Sequence, residues 1–173
     1  MITPIREMHG NKLTWGCRKR TDISELRSQD CETLYGMLCI EKKTGWFWPF
    51  LPYSPPAVAE SADGCFRFVS CGFWGNKVKV GATDSGTAVA FFDGKRLELS
   101  NGHKFLWHWI ELVNVPGYWS AVGEFTDEQG GCLLHCDVEV TIEPAARLIP
   151  ELSLMVLLGD YLRYQGLLAL ERT

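Results

Sequence analysis

A chain of 173 residues is long enough for one domain and short for two. Its 46% apolar and 22% charged residues are ordinary globular usage. The formal charge of −4 excludes a general polyanion binder such as a nucleic-acid domain, which normally carries a net basic field, and leaves only local basic patches open. The seven cysteines (Cys17, Cys31, Cys39, Cys65, Cys71, Cys132 and Cys136) include no Cys-x-x-Cys, so no metal framework is spelled out. Their odd number, and the lack of an apolar stretch after Met1–Glu7, predict an intracellular protein with reduced, partly buried thiols.

Residues 1–33 are polar and mixed, read as an N-terminal arm or as part of the domain that follows. They carry the basic run Arg18-Lys19-Arg20. Thr21 or Asp22 then suits the cap of a short helix, although the same stretch also fits an edge strand. Leu34–Glu41 is strand-like and ends in the turn Lys42-Lys43-Thr44-Gly45. Trp46–Pro56 holds four of the chain's eight prolines and five aromatic rings. Proline removes ladder donors, so this segment is a structured loop and not a central strand.

From Ala57 onward short strands alternate with turns. Lys77-Val78-Lys79-Val80 has a strict period of two. Asp93-Gly94 and Asn101-Gly102 separate strand-like runs, and such pairs favour type I′ hairpins with positive φ at both central residues. Lys104–Val113, Tyr118–Phe125, Gly131–Cys136 and Val138–Glu143 complete about nine or ten strands, the spacing of a sandwich or barrel.

The tail differs. Pro150 and Glu151 suit a helix start, and the segment 150–165 is apolar on every face around Leu154–Leu158. A helix apolar all round must be enclosed. Burying Ile149, Leu152, Leu154, Met155, Val156, Leu157, Leu158 and Leu162 contributes about 10–20 kcal/mol before entropy. A transmembrane span is disfavoured, because Glu151, Asp160 and Arg163 interrupt a run well short of the roughly 20 residues a bilayer requires. Leu167-Leu168-Ala169-Leu170 reads as a last strand returning to the sheet.

Short strands followed by one nearly all-apolar helix resemble the tubby C-terminal-like superfamily, which includes tubby domains, LURP-one-related proteins and phospholipid scramblases. The resembling residues are Ser61–Phe68, Val89–Phe92, Leu97–His103, Gly123–Gly130 and the helix Pro150–Tyr161, within roughly 34–172. The resemblance implies a mainly β fold: a closed antiparallel barrel of about a dozen strands around a central hydrophobic C-terminal helix, with residues 34–173 as the barrel domain. It also implies a non-enzymatic protein without a cofactor. Tubby domains bind phosphoinositide headgroups through basic residues on one side of the barrel. Scramblases are proposed to move phospholipids with a calcium-binding stretch and a palmitoylated cysteine cluster. This chain has no run of adjacent cysteines, a departure that counts against the scramblase role.

The candidate headgroup ligands are Lys77 and Lys79, two residues apart on one strand face, with Lys42, Lys43, Arg18, Lys19 and Arg20; Lys95-Arg96 is a further basic cluster. Alternating lysines are also the ordinary solvated face of an antiparallel sheet. Cys132-Leu133-Leu134-His135-Cys136 holds thiols and an imidazole, but strand parity puts Cys132 and Cys136 on one side and His135 on the other, which suits packing better than a metal or nucleophile site. Phe105, Trp107 and Trp109 share a face opposite His108, as wall packing or as an aromatic cleft. The loop Trp46–Tyr53 either plugs one barrel end or meets a membrane interface beside Lys42-Lys43. Asp127-Glu128 reads as a solvated turn. No phosphate loop, nucleophile elbow or metal-binding His pair is present. The leading expectation is therefore an intracellular, non-enzymatic protein, peripheral at a membrane, that recognises an anionic phospholipid or a protein partner, with no nucleic acid and no transmembrane span. The alternative is a small apolar ligand or an enzyme site at an open barrel end, lined by Trp107, Trp109, Trp119 or the thiols.

Overall fold

The computed structural model describes residues 1–17, 22–41, 55–71, 76–115 and 118–171. Among them, twelve strands follow in chain order: β1 (Lys12–Cys17), β2 (Ile23–Ser28), β3 (Leu34–Ile40), β4 (Ala57–Ser61), β5 (Gly64–Cys71) and β6 (Lys77–Ala82), then β7 (Ala88–Phe92), β8 (Arg96–Leu99), β9 (Lys104–Val115), β10 (Tyr118–Thr126), β11 (Cys132–Cys136) and β12 (Glu139–Ile142). Each pairs antiparallel with the next, and β1 pairs with β12 through Leu13 and Val140, which closes the barrel. Closure matters because it leaves the first and last strands, β1 and β12, no open edge to pair elsewhere. Residues 23–28 form strand β2, not the capped helix that Thr21 or Asp22 offered; Thr21 lies outside the described residues.

The pleat explains most of the burial. In β6, Val78 and Val80 are buried between exposed Lys77 and Lys79, and in β8 Leu97 and Leu99 are buried between exposed Arg96 and Glu98. The inward rows meet the helix α1 (Leu152–Glu171), whose residues 152–159 are buried on every side. α1 touches β3, β4, β5, β9, β10 and β11, so the strands surround it. It is the core that its uniformly apolar sequence requires.

The helix gives the barrel two distinct ends. At the entry end, Ser153 donates to Asp63 in the β4–β5 turn, and Asn101 in the β8–β9 turn donates to Glu151 at 2.7 Å. At the exit end, the Tyr161 hydroxyl donates to the Pro55 carbonyl at 2.7 Å, and Gln165 donates to Ser70 near the end of β5. Arg163 ties the helix to this exit rim. It donates to the Ala121 carbonyl at 2.9 Å and pairs with Asp160 at 3.0 Å and with Asp137, between β11 and β12, at 3.3 Å.

Two local expectations fail for identifiable reasons. Leu167–Leu170 is not a returning strand: α1 continues to Glu171. With β1 already on β12 the sheet has no free place, and Gly166 lets the helix pass close beneath Trp109 and Leu112. The Asp93-Gly94 and Asn101-Gly102 turns fall where expected but are not type I′, since only Gly94 (φ 105°) and Gly102 (φ 88°) have positive φ. The Asp93 carboxylate instead accepts the amides of Lys95 and Arg96 at 3.0 and 2.8 Å, and Asn101 accepts that of His103 at 3.0 Å. A side-chain acceptor thus replaces the second left-handed residue. Among the described residues no helix is long and apolar enough to cross a membrane.

Candidate functional site

The exit rim carries a concave basic site. Strand β6 begins there at Lys77, and the β7–β8 turn folds beside it. Between them lies an open groove of about 550 Å³ lined by Asn76, Lys77, Asp93, Gly94, Lys95, Arg96 and Leu106. Three cationic side chains face one carboxylate. Asp93 is already committed: its carboxyl is held below the usual range by the Lys95 and Arg96 amides, and its second oxygen lies 3.5 Å from the Arg96 guanidinium. Among the described residues neither Lys77 nor Lys95 has a carboxylate partner. An electropositive concavity with unpaired ammonium groups attracts phosphate oxygens, and Arg96 adds a planar donor fork.

The turn sets this shape. A Cβ on Gly94 would lie 3.2 Å from Asn76 Nδ2 and 3.3 Å from the Asn76 carbonyl, at a φ that side chains rarely adopt. Gly94→Val is therefore expected to cost about 1–3 kcal/mol and to push the turn off Asn76. A urea-denaturation midpoint measured on the variant checks the cost, and unchanged stability would show that the turn is not held this way.

Of the candidates read from sequence, the groove unites Lys77 with Lys95 and Arg96. Lys79 is exposed on the same face but lies outside the groove, paired across the sheet with Val69 and Phe91. Arg18, Lys19, Arg20, Lys42 and Lys43 lie outside the described residues, as does the loop Trp46–Tyr53. The strand ends that flank those segments, Cys17 and Ile23, Ile40 and Ala57, all belong to the exit rim. No protein-family model matches this chain, and no curated protein or solved structure is significantly similar to it. The groove must be read from its own chemistry.

The other candidates resolve differently. Trp107 is buried, 4.8 Å from Phe125 and 5.2 Å from Trp109 between ring centres, with Gly123 beneath its ring. Three cavities lined by described residues include none of Trp107, Trp109, Trp119 or the thiols. Cys132 and Cys136 do not share a face as parity implied. A register shift pairs Phe125 with Leu134 and Thr126 with Cys132, so Leu133 is an extra residue and the parity of the strand flips there. Cys136 is buried against Gly159 while Cys132 is exposed beside Glu124. Burial pushes both thiols up, away from the thiolate a nucleophile needs. Among the described residues no group of three or more His, Cys, Asp or Glu is placed to hold a metal ion.

Proposed function

We propose that this protein is a non-enzymatic peripheral membrane-binding protein that takes an anionic phospholipid headgroup in the groove of Lys77, Lys95 and Arg96. The observation that carries the reading is the convergence of Lys77 of β6 with the adjacent Lys95 and Arg96 of the β7–β8 turn on one concave rim of a chain whose overall charge is negative. Phosphate contacts of this kind are charge-assisted and roughly twice as strong as neutral hydrogen bonds. Anionic surfaces add about 1 kcal/mol for each Lys or Arg held near them. The closed barrel around a buried helix is also the architecture that the tubby-like resemblance implies, and the tubby domains of that superfamily bind phosphoinositide headgroups. α1 occupies the barrel interior where a small apolar ligand would sit, which favours the rim over the lumen. The six cysteines with described side chains are free thiols, in keeping with a place on the cytoplasmic face of a membrane.

The test is flotation with vesicles of phosphatidylcholine alone and of equimolar phosphatidylcholine and phosphatidylserine. Wild-type protein is expected to float with the anionic vesicles at low salt and to be released as ionic strength screens the surface. Lys77→Glu/Arg96→Glu should abolish flotation. Lys12→Glu/Lys104→Glu makes the same charge change away from the groove and should leave it nearly intact, since the ion pairs of Lys12 and Lys104 are exposed and contribute little. Equal flotation of both variants would overturn the residue assignment. No flotation of wild type on either vesicle would overturn the class of ligand.

A further inference from the structure

The β9–β10 pair outgrows the barrel. On one side β9 is paired with β8 only as far as Leu106, with the Trp107 amide reaching the Lys95 carbonyl. On the other, β10 is paired with β11 only from Gly123 onward. His108–Val115 and Tyr118–Val122 therefore form a two-stranded ribbon that, among the described residues, pairs with no further strand on either side and continues about 25 Å past the end of β8 at the exit rim. A hairpin of this kind is marginal alone. Here α1 supports it: Gly166 lies against Trp109 and Leu112, and Asn114 donates to the Leu170 carbonyl at 2.7 Å.

The ribbon's side chains are unusual for a surface. Ile110 is 55% exposed, Trp119 50%, Tyr118 54% and Val115 47%. A bulge at Ile110, between the pairs Gly123–Trp109 and Val122–Glu111, adds an exposed aliphatic residue. The last turns of α1, with Leu167, Leu168 and Leu170 only half-covered, extend the same apolar lobe. Val138, 56% exposed between β11 and β12, stands on the same rim. Isolated exposed apolar residues are normal, but Val115 and Tyr118 on one face of the ribbon and Trp119 on the other are concentrated at one end of the molecule, which marks an interaction surface.

From this lobe and the adjoining groove we infer that the β9–β10 ribbon inserts into the headgroup–acyl boundary of an anionic bilayer, so that the exit end of the barrel faces the membrane. The groove identifies the occupant, because Leu106 of β9 lines it and Lys77, Lys95 and Arg96 stand at the ribbon's base. Cations at headgroup level beneath Trp, Tyr and aliphatic side chains complement an anionic lipid surface, where amphipathic rings favour the interface and aliphatic side chains leave water. The inference rests on the headgroup reading for the choice of lipid, while the insertion itself is read out separately.

Four measurements test it. Vesicles of equimolar phosphatidylcholine and phosphatidylserine with brominated acyl chains should quench the tryptophan fluorescence of the wild-type protein, and Trp119→Phe should remove much of the quenched component. Ile110→Ser/Trp119→Ser should weaken partitioning onto unbrominated vesicles of the same headgroups roughly tenfold or more, as expected from the apolar burial it removes. Soluble inositol trisphosphate should bind that variant as it binds wild type. Absence of quenching in protein that floats with the vesicles would overturn insertion and leave the groove reading standing. Quenching and flotation that survive Lys77→Glu/Arg96→Glu would overturn the groove instead. A wild-type dimer in sedimentation that Ile110→Ser/Trp119→Ser converts to monomer would assign the lobe to a second copy of this chain and overturn the proposal.

Discussion

Gly123→Ala is expected to destabilise the barrel by about 3–5 kcal/mol, a larger loss than alanine at any other described strand glycine would bring. The cause is the Trp107 indole, which lies directly over the Gly123 backbone. A Cβ there would sit 2.1 Å from one ring carbon and 2.6 Å from the next. The ring is rigid, 4% exposed and stacked edge-on against Phe125 and Trp109, so it has no side-chain freedom with which to retreat. Either Trp107 leaves its pocket or β9 and β10 separate where the exit ribbon begins. Thermal melting should show a drop of roughly 10 °C or more for a chain of this size. Gly16→Ala, which meets nothing within 4 Å, should change the melt by only a degree or two. Trp107→Phe combined with Gly123→Ala should recover part of the loss, because the smaller ring clears the methyl and removes an indole N–H that is buried without a partner among the described residues. An alanine that leaves the melting temperature unchanged would mean the ring is not where the structure puts it.

The second large effect concerns the charges at the exit rim. Asp160 lies inside the helix–sheet interface, and burial pushes its carboxyl up to about 6 even with the Arg163 guanidinium 3.0 Å away; Cys136, Asp137 and Arg163 are the titratable or charged groups around it. Its unfolded value is near 3.8. Between these two values the folded chain keeps a proton that the unfolded chain has lost. This group's contribution is therefore fully present below about pH 3.8 and is lost as pH rises through about 6, an effect of about 3 kcal/mol. Asp160→Asn should flatten that slope in a urea-denaturation series across the window. Arg163→Met removes the cation and the bond to the Ala121 carbonyl, and should cost about 3–5 kcal/mol at neutral pH by leaving a buried carboxylate unpaired. Its deficit should shrink toward pH 4, where Asp160 is neutral. A deficit that stays constant with pH would show that Arg163 acts by packing alone.

The candidate site was legible only in pieces. The alternation of Lys77 and Lys79 assigned both to the solvent face, and the structure keeps them there. Alternation cannot say which other strand turn comes to rest beside Lys77. That depends on the β6–β7–β8 registers, which bring Lys95 and Arg96 to the groove and leave Lys79 among Val69 and Phe91. The Arg163–Asp160–Asp137 cluster had a weaker signal: charges on an otherwise apolar helix. Its partners lie on β10 and beyond β11, out of reach of any local pattern. The β9–β10 ribbon carried no warning in sequence, because its strands look like any other pair until their neighbours are seen to stop short.

The amino-acid sequence by itself determined the local geometry of this protein. Period-two runs specified which side chains face inward, Gly94 and Gly102 specified where the chain reverses, and a helix without a polar face could only be enclosed. The tertiary structure decided everything that depends on which distant segments meet. β1 closes on β12 and so denies Leu167–Leu170 a place in the sheet; extra residues at Ile110 and Leu133 reverse the inward and outward faces; three cations are gathered on one rim beside an apolar ribbon. The physical reason is range. Periodicity reports the environment of neighbours a few residues apart, whereas register, closure and bulges are fixed by the summed packing of remote strands on one central helix.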